Sequence, residues 1–544
     1  MFRKPIHYPL VASATLFPST AWRSAPAGDR SNKTITTIKY LAHEKTKLAG
    51  MITGMLISAA FTGSFAQHKS VAPADAKTIA DAQKQVEKFP DSLSLHDDYI
   101  KAMTLANPDL KTQYDAWMKK YPANYKVPFA IGKALYNRED PAATPYLKKV
   151  VAMKPQMAEV YQMLSIDAER WGDEKAAHEY MGKAKQAAPN DPSYAFYYAM
   201  DFEHTDPAKW REEIYTVAKR FPDHERGAQG LYWLATRSTD KAEKFKVYEQ
   251  LIRLYDPLKF NWSSSGASGL FDLYVSESMY DKASALANKM RSKESWKSQG
   301  ELAASLVKLQ ELKAAGKWNE AQAMLKDVKV PRYSGAAEYI NLLKAEIADA
   351  AGNTRAAYDS LLIIFAKTPT ENTKAAISKY ASKLGLNATQ VETDIWSARN
   401  KNTYQAPAFA LDMYTEKRKA TLDEFKGKVV LLTFWFPGCG PCRGEFPHFQ
   451  EVVNKYSKDE LAYIGINVFP EQDDYVVPFM KGTGYTFTPL RSTSDWAMEV
   501  YKVRGQPTNF LIDKEGNIVY NNFMINSNNQ RMLEMMIESL LKKS

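Results

Sequence analysis

Residues 434–442 read Phe434-Trp435-Phe436-Pro437-Gly438-Cys439-Gly440-Pro441-Cys442, an apolar run that passes through Pro-Gly into two cysteines two residues apart. The run predicts a buried strand and the residues after it a helix, so Cys439 falls in the first helical turn. There the unpaired N–H groups and the positive end of the macrodipole favour a thiolate, lowering the thiol pKa from about 8.5 to as low as roughly 3.5–7.5. Cys439 therefore reads as the nucleophile. Cys442, one turn on, reads as the thiol that resolves a mixed disulfide. These are the only cysteines among 544 residues, too few for a disulfide framework or a zinc knuckle. Arg443 follows where c-type haem attachment needs His, and His448, behind Pro447, reads as a surface or packing residue. An inert disulfide or a metal pair weighs less than redox catalysis.

Outward from this stretch, short apolar runs alternate with turn signals. Strands are expected over 428–436, 461–468, 508–512 and 517–522, the last two flanking the turn Asp513-Lys514-Glu515-Gly516. Helices are expected over 440–456, 473–481, 495–501 and 528–542. The sum is an α/β domain over 404–544.

Gly427-Lys428-Val429-Val430-Leu431-Leu432 through Cys439-Gly440-Pro441-Cys442-Arg443-Gly444-Glu445-Phe446-Pro447 resembles the TlpA/ResA-like branch of the thioredoxin family. The resemblance implies a thioredoxin-like fold and disulfide reduction with no cofactor beyond the Cys439–Cys442 pair and no metal. It matches Arg504-Gly505-Gln506-Pro507-Thr508-Asn509 to the family's cis-proline loop, with Pro507 facing the cysteines. It places Gln506, Gly440, Pro441 and Thr508 against the substrate peptide. Gly440-Pro441 is similar to thioredoxin itself, whose potential of roughly −270 mV is reducing. Two departures stand out. Gly438 replaces the family's Trp before the first Cys, which predicts a less hydrophobic lip. Thr433 stands where thioredoxin keeps a buried Asp, which leaves Glu445, three residues after Cys442, as the candidate proton carrier beside Cys439, Cys442 and Pro507.

Before this domain the period lengthens. Pro90, Pro122, Pro155, Pro189, Pro222 and Pro257 are separated by 32, 33, 34, 33 and 35 residues, each closing a helical stretch. From Ala158 to Pro189, Tyr161 and Leu164 share a helix face, Gly172-Asp173 turns, and Ala177, Met181 and Ala184 recur at helical spacing. This unit resembles the tetratricopeptide repeat. The register returns at Gly352, Ala357, Leu361 and Pro369, and fades between Asn261 and Trp296. Residues 67–395 thus predict an all-α solenoid whose groove could hold a peptide or protein. The polar string at 396–403 reads as a linker, leaving 402–544 to fold alone.

Composition is that of a folded protein, 45% hydrophobic and 25% charged. Of the net charge of +10, residues 1–50 hold +6, so the rest is a normal solvated surface with no nucleic-acid footprint. Lys39, Lys45 and Lys47 precede a charge-free run, 48–66, that ends Ser64-Phe65-Ala66 and reads as a signal peptide's apolar region, with 1–66 as leader and no membrane span after cleavage. The expectation is an exported, periplasmic or envelope, thiol-disulfide oxidoreductase, membrane-anchored if the leader is not cleaved. Its partners would be disulfide-bearing clients and an upstream thiol electron donor. The alternatives are a repeat scaffold with a secondary thiol domain, or an oxidase or isomerase.

Overall fold

The computed structural model describes residues 72–543 apart from 204, 332 and 333, so the expected leader lies outside the described residues. A helical region runs from the helix Ala76–Lys88 to the helix Ala388–Asn400, and an α/β domain follows. All six prolines of the series sit in turns between helices. In the unit read above, helices Ala158–Arg170 and Glu174–Ala187 flank Gly172, whose φ of 73° suits a residue without Cβ. Asp173 caps the second helix, its carboxylate accepting from Ala176 N–H at 3.0 Å.

The period is visible in the bonding. The Tyr121 hydroxyl donates to the Glu87 carbonyl at 3.2 Å and the Tyr255 hydroxyl to that of Phe221 at 3.3 Å, both across 34 residues. Where the signature fades, a helical pair persists as Asn261–Ser276 and Tyr280–Lys289, with Gly266 and Ala267 buried and Gly266 lying against Leu251. Close approach survives there because other small residues supply it. Among the described residues no helix is long and apolar enough to cross a membrane.

The α/β domain carries one sheet of eight strands: β1 (Tyr404–Gln405), β2 (Ala410–Met413), β3 (Lys419–Thr421), β4 (Val429–Trp435), β5 (Leu461–Asn467), β6 (Thr488–Arg491), β7 (Thr508–Ile512) and β8 (Asn517–Asn521). Their order is β1-β8-β7-β4-β5-β6-β2-β3, with β4 parallel to β5 and antiparallel to β7. Strand β4 is buried throughout. Its Val429, Leu431 and Trp435 pack under the helices Gly440–Val453, Asp473–Thr483 and Gln530–Lys542, and its Val430, Leu432 and Phe434 under the helix Ser494–Tyr501. Burial on both faces is why this strand reads as a continuous apolar run. Strands β1, β2, β3 and β6 were not expected.

The segment 396–403 corrects the linker reading. The helix Ala388–Asn400 runs through most of it, Trp396 packs on the α/β core, and Arg399 is 4% exposed. Its polar letters mislead because an arginine stem can be buried over its whole length. Met535 of the last helix joins the buried cluster of Ala345, Tyr358, Phe365 and Tyr380. The two regions therefore share a seam of core.

Candidate active site

Strand β4 delivers the chain to Cys439, which caps the helix Gly440–Val453 from an extended conformation (φ −73°, ψ 95°). Its Sγ accepts the Cys442 N–H at 3.2 Å, and its own N–H donates to the Phe436 carbonyl at 2.9 Å. The sulfur thus occupies the place where an anion would meet the helix dipole. The pair is joined as a disulfide. Cys439 is 4% exposed and Cys442 fully buried, so a client can reach only the first.

Gln506–Pro507 is a cis peptide bond. The register Phe434↔Thr508 sets this bond at the end of β7 beside the end of β4 that leads to the cysteines. Gln506, Pro507 and Thr508 are half-buried, Pro441 is exposed and Gly440 buried. The Thr508 hydroxyl donates to the Gly505 carbonyl at 2.7 Å and holds the loop.

Glu445 lies inside the domain, 3% exposed. One carboxylate oxygen accepts from Asn509 Nδ2 at 2.9 Å and the other from Ile525 N–H at 2.8 Å. Burial pushes its pKa up to about 7, against the opposing pull of those two donors. Thr433, opposite Asn509 in the β4–β7 ladder, has a buried hydroxyl with no partner among the described residues. Asn509 also donates to the Phe523 carbonyl at 2.9 Å. It is a site residue that sequence reasoning left without a role. Its signal was position, two residues after Pro507 and so on the inner face of a strand.

A raised carboxyl pKa makes the folded state hold its proton more tightly than the unfolded chain. Its effect on stability is therefore negative across the window from about 4.5, the ordinary value, to about 7. Stability should fall as pH rises through that window, with Glu445 contributing about 3 kcal/mol of the loss. Glu445→Gln should remove that share of the slope in urea denaturation at pH 5 and pH 8. An unchanged slope in the variant would mean that Glu445 titrates normally.

The helical region closes on the same site. Gly438 N–H donates to Gln472 Oε1 at 2.6 Å, and Gln472 Nε2 donates to the carboxylate of Glu139, in the turn after the helix Lys126–Asn137. Glu139 is held from behind by Arg170 at 3.0 Å. A Cβ on Gly438 would run into the Glu139 carboxylate, which explains the glycine. The lip is thus not simply stripped of a hydrophobic group, because a residue of the helical region fills its place. Next to Cys442, Arg443 is buried and pairs with Glu169 at 2.8 Å. Burial raises the Glu169 pKa to about 7 although the Arg443 charge opposes it. The Tyr475 hydroxyl donates to Asp167 at 2.5 Å, and Trp171 packs edge-on against the Tyr475 ring at 4.7 Å. Gly172 sits over the Phe479 carbonyl, where a Cβ would approach to 2.8 Å.

The sequence model of the AhpC/TSA family matches residues 403–521, which hold the sheet, both cysteines and Pro507. The C-terminal domain is thioredoxin-like. Its curated relatives include the thiol-disulfide oxidoreductase ResA of Bacillus subtilis, 34% identical over 114 residues, or 21% of this chain and 63% of that one. ResA of Geobacillus thermodenitrificans is 35% identical over 113 residues, 21% and 64% of the two chains. The match thus spans less than two thirds of these relatives. Among solved structures, the thioredoxin domain of a thiol-disulfide oxidoreductase from Bacteroides vulgatus is 26% identical, covers 25% of this chain and 96% of its own, and has a TM-score of 0.22. The thioredoxin-like domain brings Cys439, Cys442, Gln506, Pro507 and Glu445 to one end of β4 and β7. What sequence reasoning missed there is the contribution of Glu139, Glu169, Gln472 and Tyr475.

Proposed function

We propose that the chain is an exported thiol-disulfide oxidoreductase that reduces protein disulfides. The observation that carries the reading is Cys439 Sγ set as the cap of a helix N-terminus, bonded to a Cys442 that solvent cannot reach. In the reduced protein the Cys439 thiolate attacks one sulfur of a client disulfide, forming a mixed disulfide and expelling the other sulfur as a thiolate. Cys442 then loses its proton and attacks Cys439 Sγ. The client leaves with two electrons, and the Cys439–Cys442 disulfide forms. An upstream thiol protein restores the dithiol. Glu445, one helical turn from Cys442 and with a pKa near 7, is matched to accept and return the Cys442 proton at neutral pH. Pro507, Gln506, Thr508, Gly440 and Pro441 form the surface against which the client peptide lies. The tetratricopeptide-like helical region recruits clients, and its contact with Gly438 supports this by placing a held client close to Cys439.

The test is equilibration of the full chain with defined glutathione buffers, together with turnover of an insulin disulfide. A potential near roughly −270 mV with turnover is the expected result. A potential near roughly −120 to −180 mV would make the protein an oxidase or isomerase. Absence of turnover would leave the helical scaffold as the working part.

A further inference from the structure

Far from the dithiol, a cleft of about 420 Å3 opens between the last helices of the helical region and the helix Gln530–Lys542. Its wall is apolar along Ile377, Leu386, Val391, Ile395 and Met535. A second cavity, of about 500 Å3, lies on the side of Tyr520, Phe523 and Met536, and Arg399 lines both.

Arg399 is 4% exposed, yet among the described residues its guanidinium makes no ion pair and no hydrogen bond. Three rings surround it, Trp396 at 5.0 Å, Tyr520 at 5.5 Å and Phe365 at 5.8 Å from Cζ to ring centroid. Rings satisfy the faces of a guanidinium and leave its N–H groups, which point outward in its plane, without acceptors. Nε is buried with none. Arginine cannot shed its charge, so a guanidinium set this deep, with Nε orphaned and no carboxylate bonded to it, is costly unless something supplies one. Lys374 and Lys542 also line the cleft, and neither makes an ion pair among the described residues. Of the two carboxylates there, Glu538 is already committed to Arg531 at 2.6 Å, and Glu392, exposed, attracts Arg399 through space without bonding to it. Cations therefore outnumber the free carboxylates over an apolar wall.

We propose that this cleft binds a medium-chain carboxylate, its headgroup on the N–H edge of Arg399 and its chain along Ile377, Val391, Ile395 and Met535. The size suits it, since small-molecule sites occupy roughly 300–1,000 Å3. No covalent step is involved, and the proposal is independent of the redox reading.

Calorimetric titration of the full chain with decanoate, acetate, inorganic phosphate and decyltrimethylammonium tests it. Decanoate should bind at least tenfold tighter than any of the other three. Arg399→Met keeps a side chain of similar length between the rings and removes the charge. It should weaken decanoate at least tenfold while leaving the ligand-free melting temperature unchanged or higher, because an unpartnered buried charge has gone. Ser378→Trp, at the exposed mouth, blocks the cleft with Arg399 intact and should abolish decanoate binding even if the first variant folds poorly. Decanoate binding no tighter than acetate or phosphate overturns the proposal. So does wild-type affinity in both variants, or a lowered melting temperature in Arg399→Met with decanoate affinity unchanged, which would show the guanidinium held for its rings alone.

Discussion

Cys439→Ser is expected to bring disulfide reduction down to the rate of buffer, whereas Cys442→Ser should complete the first half of the reaction and stop there. The asymmetry follows from two positions one helical turn apart. Cys439 caps the helix, where its sulfur already accepts an N–H in the place that favours a thiolate. Cys442 is fully buried, and its sulfur meets Cys439 rather than a client. Without Cys439 no attacking sulfur reaches the surface. Without Cys442 the mixed disulfide has no internal exit, so about one equivalent of client should remain on Cys439, visible on a non-reducing gel and released by dithiothreitol. Iodoacetamide on the reduced wild type should alkylate Cys439 first. Faster labelling of Cys442 would reverse the assignment and with it the order of the two attacks.

The second large effect is expected from Gly438→Trp, which restores the residue that the family usually keeps before its first cysteine. Part of the obstacle lies within the thioredoxin-like domain itself, where Gln472 Nε2 would stand 3.0 Å from the new Cβ. In the full chain the new side chain must enter space held by the Glu139 carboxylate and the Gln472 amide. Overpacking of that kind costs about 1–3 kcal/mol, and here the cost falls on the contact between the helical region and the site. Chemical denaturation should show the loss, and Cys439 should alkylate faster as the Glu139 turn is displaced. Glu139 adopts φ 56°, so Glu139→Gly removes the obstructing carboxylate and also suits that backbone. It should suppress much of the defect, and the double-mutant cycle reports the coupling directly. If Gly438→Trp is as stable as wild type and labels at the same rate, the helical region does not press on the dithiol in solution.

Much of this molecule is legible in its letters, for physical reasons that differ by element. The helical region shows because its first units each end on a proline, and six such stops from Pro90 to Pro257 reveal the interval. Strand β4 shows because a strand buried on both faces is apolar at nearly every position, Thr433 being the exception. The cysteines show because two thiols at that spacing have few other uses. Glu445 shows only through the resemblance, since nothing in a lone glutamate after a helix start announces that it is buried. Strands β1, β2, β3 and β6 are two to four residues long, too short for an alternation to form.

The junction between the two regions was illegible for another reason. Glu139 and Gln472 are 333 residues apart, Asp167 and Tyr475 are 308 apart, and Glu169 and Arg443 are 274 apart, so no local period records their pairing. Gly438 is a trace of it within the motif. A missing side chain looks like a loss until the group that took its space is seen.

The thioredoxin-like domain meets the helical region at 139–172, where Arg443 pairs with Glu169, and again at 371–399, where Arg531 reaches Glu371. Between these it touches Thr236 and Lys244 through Asn528. A chain tied to one body at two separated points of a stack is a closed loop between them. Open solenoids gain or lose whole units with little penalty, because each unit answers only to its neighbours. Here, removing about 34 residues between Trp171 and Glu371 would carry one anchor away from its partner, so the number of units behaves as a fixed dimension of the molecule, like the circumference of a ring.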